Sequence, residues 1–277
     1  MNMQTFTRPL MLAATLAGVC VSAQAITGAT PTTAFSAVGQ GVQVAPDWVF
    51  TVNHFALNPG SSYVNGYGTR TVAARYNAPG AGLVSVVAND FSLLRLEPAA
   101  TAAPFMPVLG TAVPVGVFAP FDVTITSAAN SGPNRGYAFS TVSESMLMAD
   151  PDDGGPLPSV VVNWLASWDA AVHVQGGDSG GGLFAGHVVD SSMLLGLNAA
   201  LFEDALLNPQ GSAFVQPAAY RSWIDSTMAA DIADTQAVLW TAAAVPEPAA
   251  WALCAAGLAL LRLRAPSRAR TRVRPAR

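Results

Sequence analysis

The sequence predicts an all-β barrel or sandwich, and three observations carry that prediction. Short β-prone runs recur between turn residues, with few long helical patterns. Residues 26–244 are rich in Gly, Pro, Ser, Thr and Val. One clear helical candidate stands out, Pro217 to Ala230, where Tyr220, Trp223, Ile224 and Met228 recur at helical spacing.

The chain begins with a segment of different character. Residues 1–25 carry one positive charge at Arg8, an apolar run from Leu10 to Val21 and a small-x-small cleavage site at Ala23-Gln24-Ala25. These features read as a secretory signal peptide. The other end is as distinctive: Val245-Pro246-Glu247-Pro248, an apolar run from Ala249 to Leu261, then seven arginines between Arg262 and Arg277. The run is shorter than the ~20 residues of a comfortable membrane span, so it reads as a weak, transient anchor with its basic end held on the cytoplasmic side. Residues 245–277 resemble the PEP-CTERM sorting signal of Gram-negative bacteria. That resemblance implies transient inner-membrane contact, removal of the tail by an exosortase-type processing enzyme, and a protein left at the cell surface or secreted.

Between the two ends the charge balance is strongly acidic. Residues 26–244 hold five arginines against sixteen carboxylates, a net charge of −11. Nucleic acid is not expected as a partner of such a surface. Both cysteines, Cys20 and Cys254, fall in the end segments. The body therefore has no disulfide and no thiolate zinc site, and its fold must stand on core packing.

The expected strands follow in order. They are Gly41 to Val52, Thr69 to Arg75, Leu83 to Val87, Phe121 to Ile125, Ser159 to Trp164 and Met193 to Leu197, each bounded by turn residues. Ala99 to Pro120 is rich in Pro and Ala and carries no charge, which suits either a linker between halves or a meandering core loop. Asp150, Asp152 and Asp153 gather near glycines, but their spacing lacks a full Ca²⁺ ligand set, so a solvated turn is expected. No metal or other cofactor is expected.

The chemistry centres on Gly176 to Phe184, GGDSGGGLF, where five glycines surround one aspartate and one serine. A serine hydroxyl is a poor nucleophile and needs a base for its proton and donors for the oxyanion it creates. Glycines let the backbone turn sharply and bring the N–H groups of Gly177 and Ser179 close to a substrate. Gly177-x-Ser179-x-Gly181 also fits the nucleophile elbow of α/β-hydrolases, but that arrangement needs an acid and then a histidine after the serine. Only His187 follows, eight residues on, with no plausible acid between, so the elbow is rejected. The base must be sought upstream. His54 sits where an apolar β-prone run ends, and Asp90 enters an apolar strand, a costly place for a carboxylate unless something meets it.

The order His54, Asp90, Ser179 and the surrounding residues resemble the chymotrypsin/trypsin-fold serine proteases. Thr51-Val52-Asn53-His54-Phe55 stands where that family has T-A-A-H-C. Asp90-Phe91-Ser92-Leu93-Leu94-Arg95-Leu96 stands for D-I-A-L-L-R-L, and Gly177 to Gly182 for G-D-S-G-G-P. Tyr220 to Asp225, YRSWID, resembles the family's closing helix. The resemblance implies two antiparallel six-stranded β-barrels with a C-terminal helix: residues 26–112 as the N-terminal barrel, 113–230 as the C-terminal barrel and 231–244 as a linker to the tail. It implies a serine endopeptidase acting on a peptide or protein substrate through an acyl-enzyme. Ser179 would be the nucleophile, His54 the base, Asp90 its orienting carboxylate, and the N–H groups of Gly177 and Ser179 the oxyanion hole.

Two further implications are specific to this chain. The residue six before the nucleophile, His173, would lie at the floor of the specificity pocket, and since it is not Asp no preference for Arg or Lys is expected. Ile26, exposed by cleavage after Ala25, would bury its α-amino group against Asp178, so that export matures the enzyme. Phe55 and Asn53 depart from the family's residues beside the histidine, and Gly182 replaces a proline, predicting a looser loop. These departures leave a second reading open, a catalytically inactive protease-fold protein that binds at a surface or in a matrix.

Overall fold

The computed structural model describes residues 26–79, 89–99, 105–127, 135–149, 161–189, 192–203, 210–231 and 236–242. In chain order the strands are β1 (Thr30–Thr32), β2 (Val42–Ala45), β3 (Trp48–Thr51), β4 (Ser62–Asn65), β5 (Gly68–Asn77), β6 (Ser92–Glu97) and β7 (Val108–Leu109). They continue as β8 (Gly116–Thr126), β9 (Arg135–Ala149), β10 (Val161–Ser167), β11 (Gly182–Ala185), β12 (Leu194–Glu203), β13 (Gln210–Val215) and β14 (Trp240–Thr241). Helix α1 (Arg221–Asp231) follows a 3₁₀ turn at Pro217–Tyr220, where proline supplies a preset φ at the start.

Two β units result. The first is an antiparallel five-stranded sheet in the order β2-β3-β6-β5-β4. The second is a closed antiparallel ring, in which β8, β9, β10, β13, β12 and β11 pair in turn and β11 returns to β8. Closure removes the exposed edges that an open sheet leaves. The N-terminal β1 joins this ring on β9, while β7 and β14 add in parallel beside β12.

The apolar patterning explains the layering. In β4 the buried Tyr63 and Asn65 alternate with more exposed neighbours, whereas β2 and β3 are buried throughout. Trp48, Phe50 and Phe91 of the first unit share one core with Trp164, Phe184 and Leu197 of the second. Helix α1 buries Ile224 and Met228, four residues apart on one face, and each such burial contributes about 1.5–3 kcal/mol. Phe91 stacks on Tyr220 at a centroid distance of 4.8 Å, and Arg95 Nε lies 2.7 Å from Asp231 Oδ2. The helix thus braces β6, the strand that follows Asp90.

The expected β-run from Gly41 to Val52 divides at Pro46 and Asp47 into β2 and β3. The runs at residues 69–75, 121–125 and 193–197 lie within, or overlap, β5, β8 and β12, and the one at 159–164 overlaps β10. Of the Pro/Ala-rich stretch from Ala99 to Pro120, the described part buries Met106, Val108, Leu109 and Val113 and contributes β7 and the start of β8. Residues 83–87, the aspartates 150, 152 and 153, the proposed signal segment and the proposed sorting tail lie outside the described residues. Among the described residues no helix is long and apolar enough to cross a membrane.

Candidate active site

Register places the imidazole and its carboxylate. In the β3–β6 pair Thr51 faces Ser92, so His54, three residues beyond one, and Asp90, two before the other, emerge at the same end of the sheet. Asp90 is 1 % exposed and accepts twice from the same residue: His54 N–H donates to Oδ1 at 2.8 Å, and the ring Nδ1 is 2.7 Å from Oδ2. With Nδ1–H given to the carboxylate, Nε2 is left as an acceptor, and Ser179 Oγ lies 2.6 Å from it. The imidazole is 24 % exposed, so its outer edge faces solvent.

A second polar cluster stands behind His54. Arg75 of β5 donates from Nη2 to the backbone carbonyl of Asn53 and, at 3.0 Å, to Asn53 Oδ1, and from Nη1 to the carbonyl of Phe55 at 3.1 Å. Ser92 Oγ donates to Asn53 Oδ1 at 3.2 Å. The turn carrying His54 is therefore gripped on both sides of the histidine. Burial pulls the Arg75 guanidinium below its ordinary pKa, and the charge of Asp90 pulls it back up. Asn53 Oδ1 is the acceptor these donors share, and Phe55 is a partly buried neighbour of the apolar core.

The serine is presented by backbone geometry. Gly177 has φ +101° and Gly180 φ +84°, the left-handed side of the map. A Cβ at Gly180 would also lie 2.7 Å from the carbonyl oxygen of Gln40, so only glycine fits there. Gly180 N–H donates to Asn198 O at 2.9 Å and Gly181 N–H to Asp178 O at 3.0 Å. Among the described residues, the N–H groups of Gly177 and Ser179 donate to no protein acceptor. Gly182 begins β11 with its N–H and C=O both bonded to Thr126 Oγ1 at 2.9 Å. The substitution of glycine for proline there leaves the backbone tied, contrary to the expected looser loop.

Asp178 points away from the serine into the second unit, fully buried. Its Oδ2 accepts from Ile26 N at 2.7 Å and Gln175 N at 2.7 Å, and its Oδ1 from Ser127 Oγ at 2.8 Å. Burial raises its pKa, and these three bonds oppose the rise. Ile26 is 1 % exposed and has φ +45°, a region that a β-branched side chain strongly disfavours.

His173 is turned elsewhere. It is buried, with Nε2 3.0 Å from Thr27 Oγ1 and Nδ1 3.2 Å from Ala170 O. It does not line the cleft beside Ser179, whose volume is about 130 Å³ and whose walls are Val174–Gly176 and Asn198–Leu201. Counting six residues back from the serine finds a chain position but not the direction of its side chain. Sequence reasoning also missed Arg75, one of two arginines, with Arg70, in a β-prone run, and nothing in that run sets it apart.

No family model and no curated protein matches the chain. Solved structures do. HBP is 16% identical over 73% of this chain and 96% of its own, with a TM-score of 0.52. Neuropsin, a serine protease expressed in the limbic system of mouse brain, is 18% identical over 68% of this chain and 87% of its own, at TM-score 0.48. Rv3671c from M. tuberculosis H37Rv, a serine-to-alanine mutant in an inactive form, is 17% identical over 70% and 83%, at 0.47. Identities this low speak to fold alone, and the superposition on HBP carries it: the chain has a chymotrypsin-like, protease-like fold.

Proposed function

We propose that this chymotrypsin-like chain is a serine endopeptidase that hydrolyses peptide bonds through an acyl-enzyme. The observation that carries the reading is the unbroken relay from Asp90 through His54 to Ser179, with contacts of 2.7 and 2.6 Å. Ser179 Oγ attacks the substrate carbonyl while its proton passes to His54 Nε2. Asp90 holds the ring in the required tautomer and stabilises the imidazolium that forms. The N–H groups of Gly177 and Ser179 receive the oxyanion. His54 then protonates the departing amine, and water repeats the sequence to release the acid.

Maturation is part of the proposal. While Ile26 is joined to Ala25 by a peptide bond, its φ of +45° stores about 1–3 kcal/mol of strain, and only an uncharged N–H meets the buried Asp178. Cleavage after Ala25 removes the φ constraint and turns that N–H into an ammonium opposite the carboxylate. Export by a Gram-negative cell, a transient inner-membrane anchor and exosortase-type removal of the tail complete the reading. They rest on the end segments of the sequence alone.

A fluorophosphonate probe tests the activity. Chain beginning at Ile26 is expected to react at Ser179 and Ser179→Ala to be inert. A folded chain that does not react supports the alternative, a binding protein on a protease fold.

A further inference from the structure

The cleft beside Ser179 has two properties that together select a ligand. The first is size. A sealed apolar cavity of about 150 Å³ is what benzene fills, and this cleft offers about 130 Å³. The enclosed part of this open cleft is thus on the scale of a short aliphatic side chain.

The second is that, among the described residues, its walls carry no charge. Among the described residues that line it, none is ionisable. Of the described ionisable groups beside it, Asp178 is committed to Ile26, Gln175 and Ser127, and His173 to Thr27 and Ala170. Gln175 and Asn198, the wall's two amides, direct their NH₂ groups outward. Gln175 Nε2 donates to Thr27 Oγ1 at 2.6 Å, and Asn198 Nδ2 donates to Thr126 O at 2.8 Å and Asp178 O at 3.1 Å. What remains is an apolar lining from Val174, Ala199 and Ala200, with Leu201, 42 % exposed, at the rim. A guanidinium or ammonium entering this space loses hydration and meets no carboxylate among the described lining residues, only neutral acceptors such as Asn198 Oδ1, and a carboxylate meets no cation there, so either charge enters at a cost.

We propose that this cleft receives a small, uncharged aliphatic side chain, alanine to valine in size, so that cleavage follows such residues. The proposal rests on the hydrolytic role of Ser179. It replaces the sequence-based placement of His173 at the pocket floor with a wall formed by β12, and it makes Leu201 the residue that limits size.

The experiment uses chain beginning at Ile26 and peptides identical except for Ala, Val, Phe, Arg or Glu before the cut. We expect kcat/KM for the Ala and Val peptides to exceed that for Phe by about 10-fold or more and those for Arg and Glu by about 100-fold, the range over which pocket fit discriminates. Leu201→Ala, with its thermal midpoint measured to establish folding, raises the Phe peptide relative to the Ala peptide. Probe labelling of Ser179 without preferential cleavage after Ala or Val overturns this inference and leaves the hydrolytic reading standing. Absence of both labelling and cleavage overturns both.

Discussion

The two sides of the cleft hold their reactive atoms by different means. On the first unit, five strands form a sheet whose histidine-bearing turn is held by side chains: Arg75, Asn53 and Ser92 grip it from behind, and Asp90 binds both the backbone and the ring of His54. On the second unit, six strands close into a ring, and the serine is held by backbone: positive-φ glycines, hydrogen bonds to Asn198 and the buried anchor of Asp178. A turn without a disulfide can be fixed by one well-placed guanidinium. A nucleophile that must approach a substrate closely is better fixed by main chain, which adds no bulk.

Substitutions on the two sides separate these mechanisms. The largest effect belongs to the reacting groups: Ser179→Ala and His54→Ala are each expected to lower kcat by ~10⁶-fold while the thermal midpoint changes little. Steady-state kinetics with calorimetry checks both. Next comes the anchor of the serine side. Asp178→Asn in the processed chain, or a cleavage site moved one residue upstream so that Ile26 is no longer the N-terminus, removes a buried charge pair. The expected loss is about 3–5 kcal/mol of the active conformation, read as loss of turnover; unchanged turnover rejects the maturation mechanism.

The same anchor gives a pH signature. In uncut chain the pKa of Asp178 is raised by burial, so its contribution to stability is present below the ordinary carboxylate range and is lost as pH rises through the raised value. In cut chain the ammonium of Ile26 stabilises the ionised carboxylate, and that contribution is lost as pH falls far enough to protonate Asp178 and again as pH rises through the amine's own raised pKa, above ~8. Thermal midpoints of the two forms should therefore diverge between mildly acidic and neutral pH, and Asp178→Asn should abolish the divergence.

Arg75 defines the histidine side. Arg75→Met removes several charge-assisted hydrogen bonds worth about 1.5–3 kcal/mol each, of which the turn recovers part by binding water. We expect kcat to fall about 30-fold, a loss near 2 kcal/mol, with a shifted acid limb in the pH–rate profile and partial rescue by added guanidinium. An unaltered profile and rate would mean the turn holds itself. Asn53→Ala is the smallest change, about 1 kcal/mol of stability, measured by denaturant unfolding.

The fold class was legible because many β-prone apolar runs stand between turn residues, and the helix because Ile224 and Met228 share a face; the 15-residue β9, RGYAFSTVSESMLMA, was not, because its polar residues interrupt the apolar pattern. The three side chains that the structure joins, His54, Asp90 and Ser179, were legible because each stands in a local run of recognisable chemistry, and no single run requires knowledge of the others. What was not legible depends on direction. His173 has the right chain position but bonds to Thr27, and only the fold decides that the NH₂ groups of Gln175 and Asn198 are taken up by Thr27, Thr126 and Asp178. Arg75 acts through carbonyl groups twenty or more residues away in sequence, and carbonyl groups leave no mark in a sequence. The Ala99 to Pro120 stretch left a linker and a core loop equally open because it lacks charge, and the burial of Val108 and Leu109 favours the core loop for its described part.

The central claim is that His54 activates Ser179 for acyl transfer under the hold of Asp90. Mixing the processed chain with an activated ester, quenching in acid and weighing the intact protein tests it most directly. The account predicts a mass increase of one acyl group on Ser179 that forms in a burst and is absent in His54→Ala. An acyl group found on another residue, or on Ser179 at the same rate without the imidazole, would contradict it.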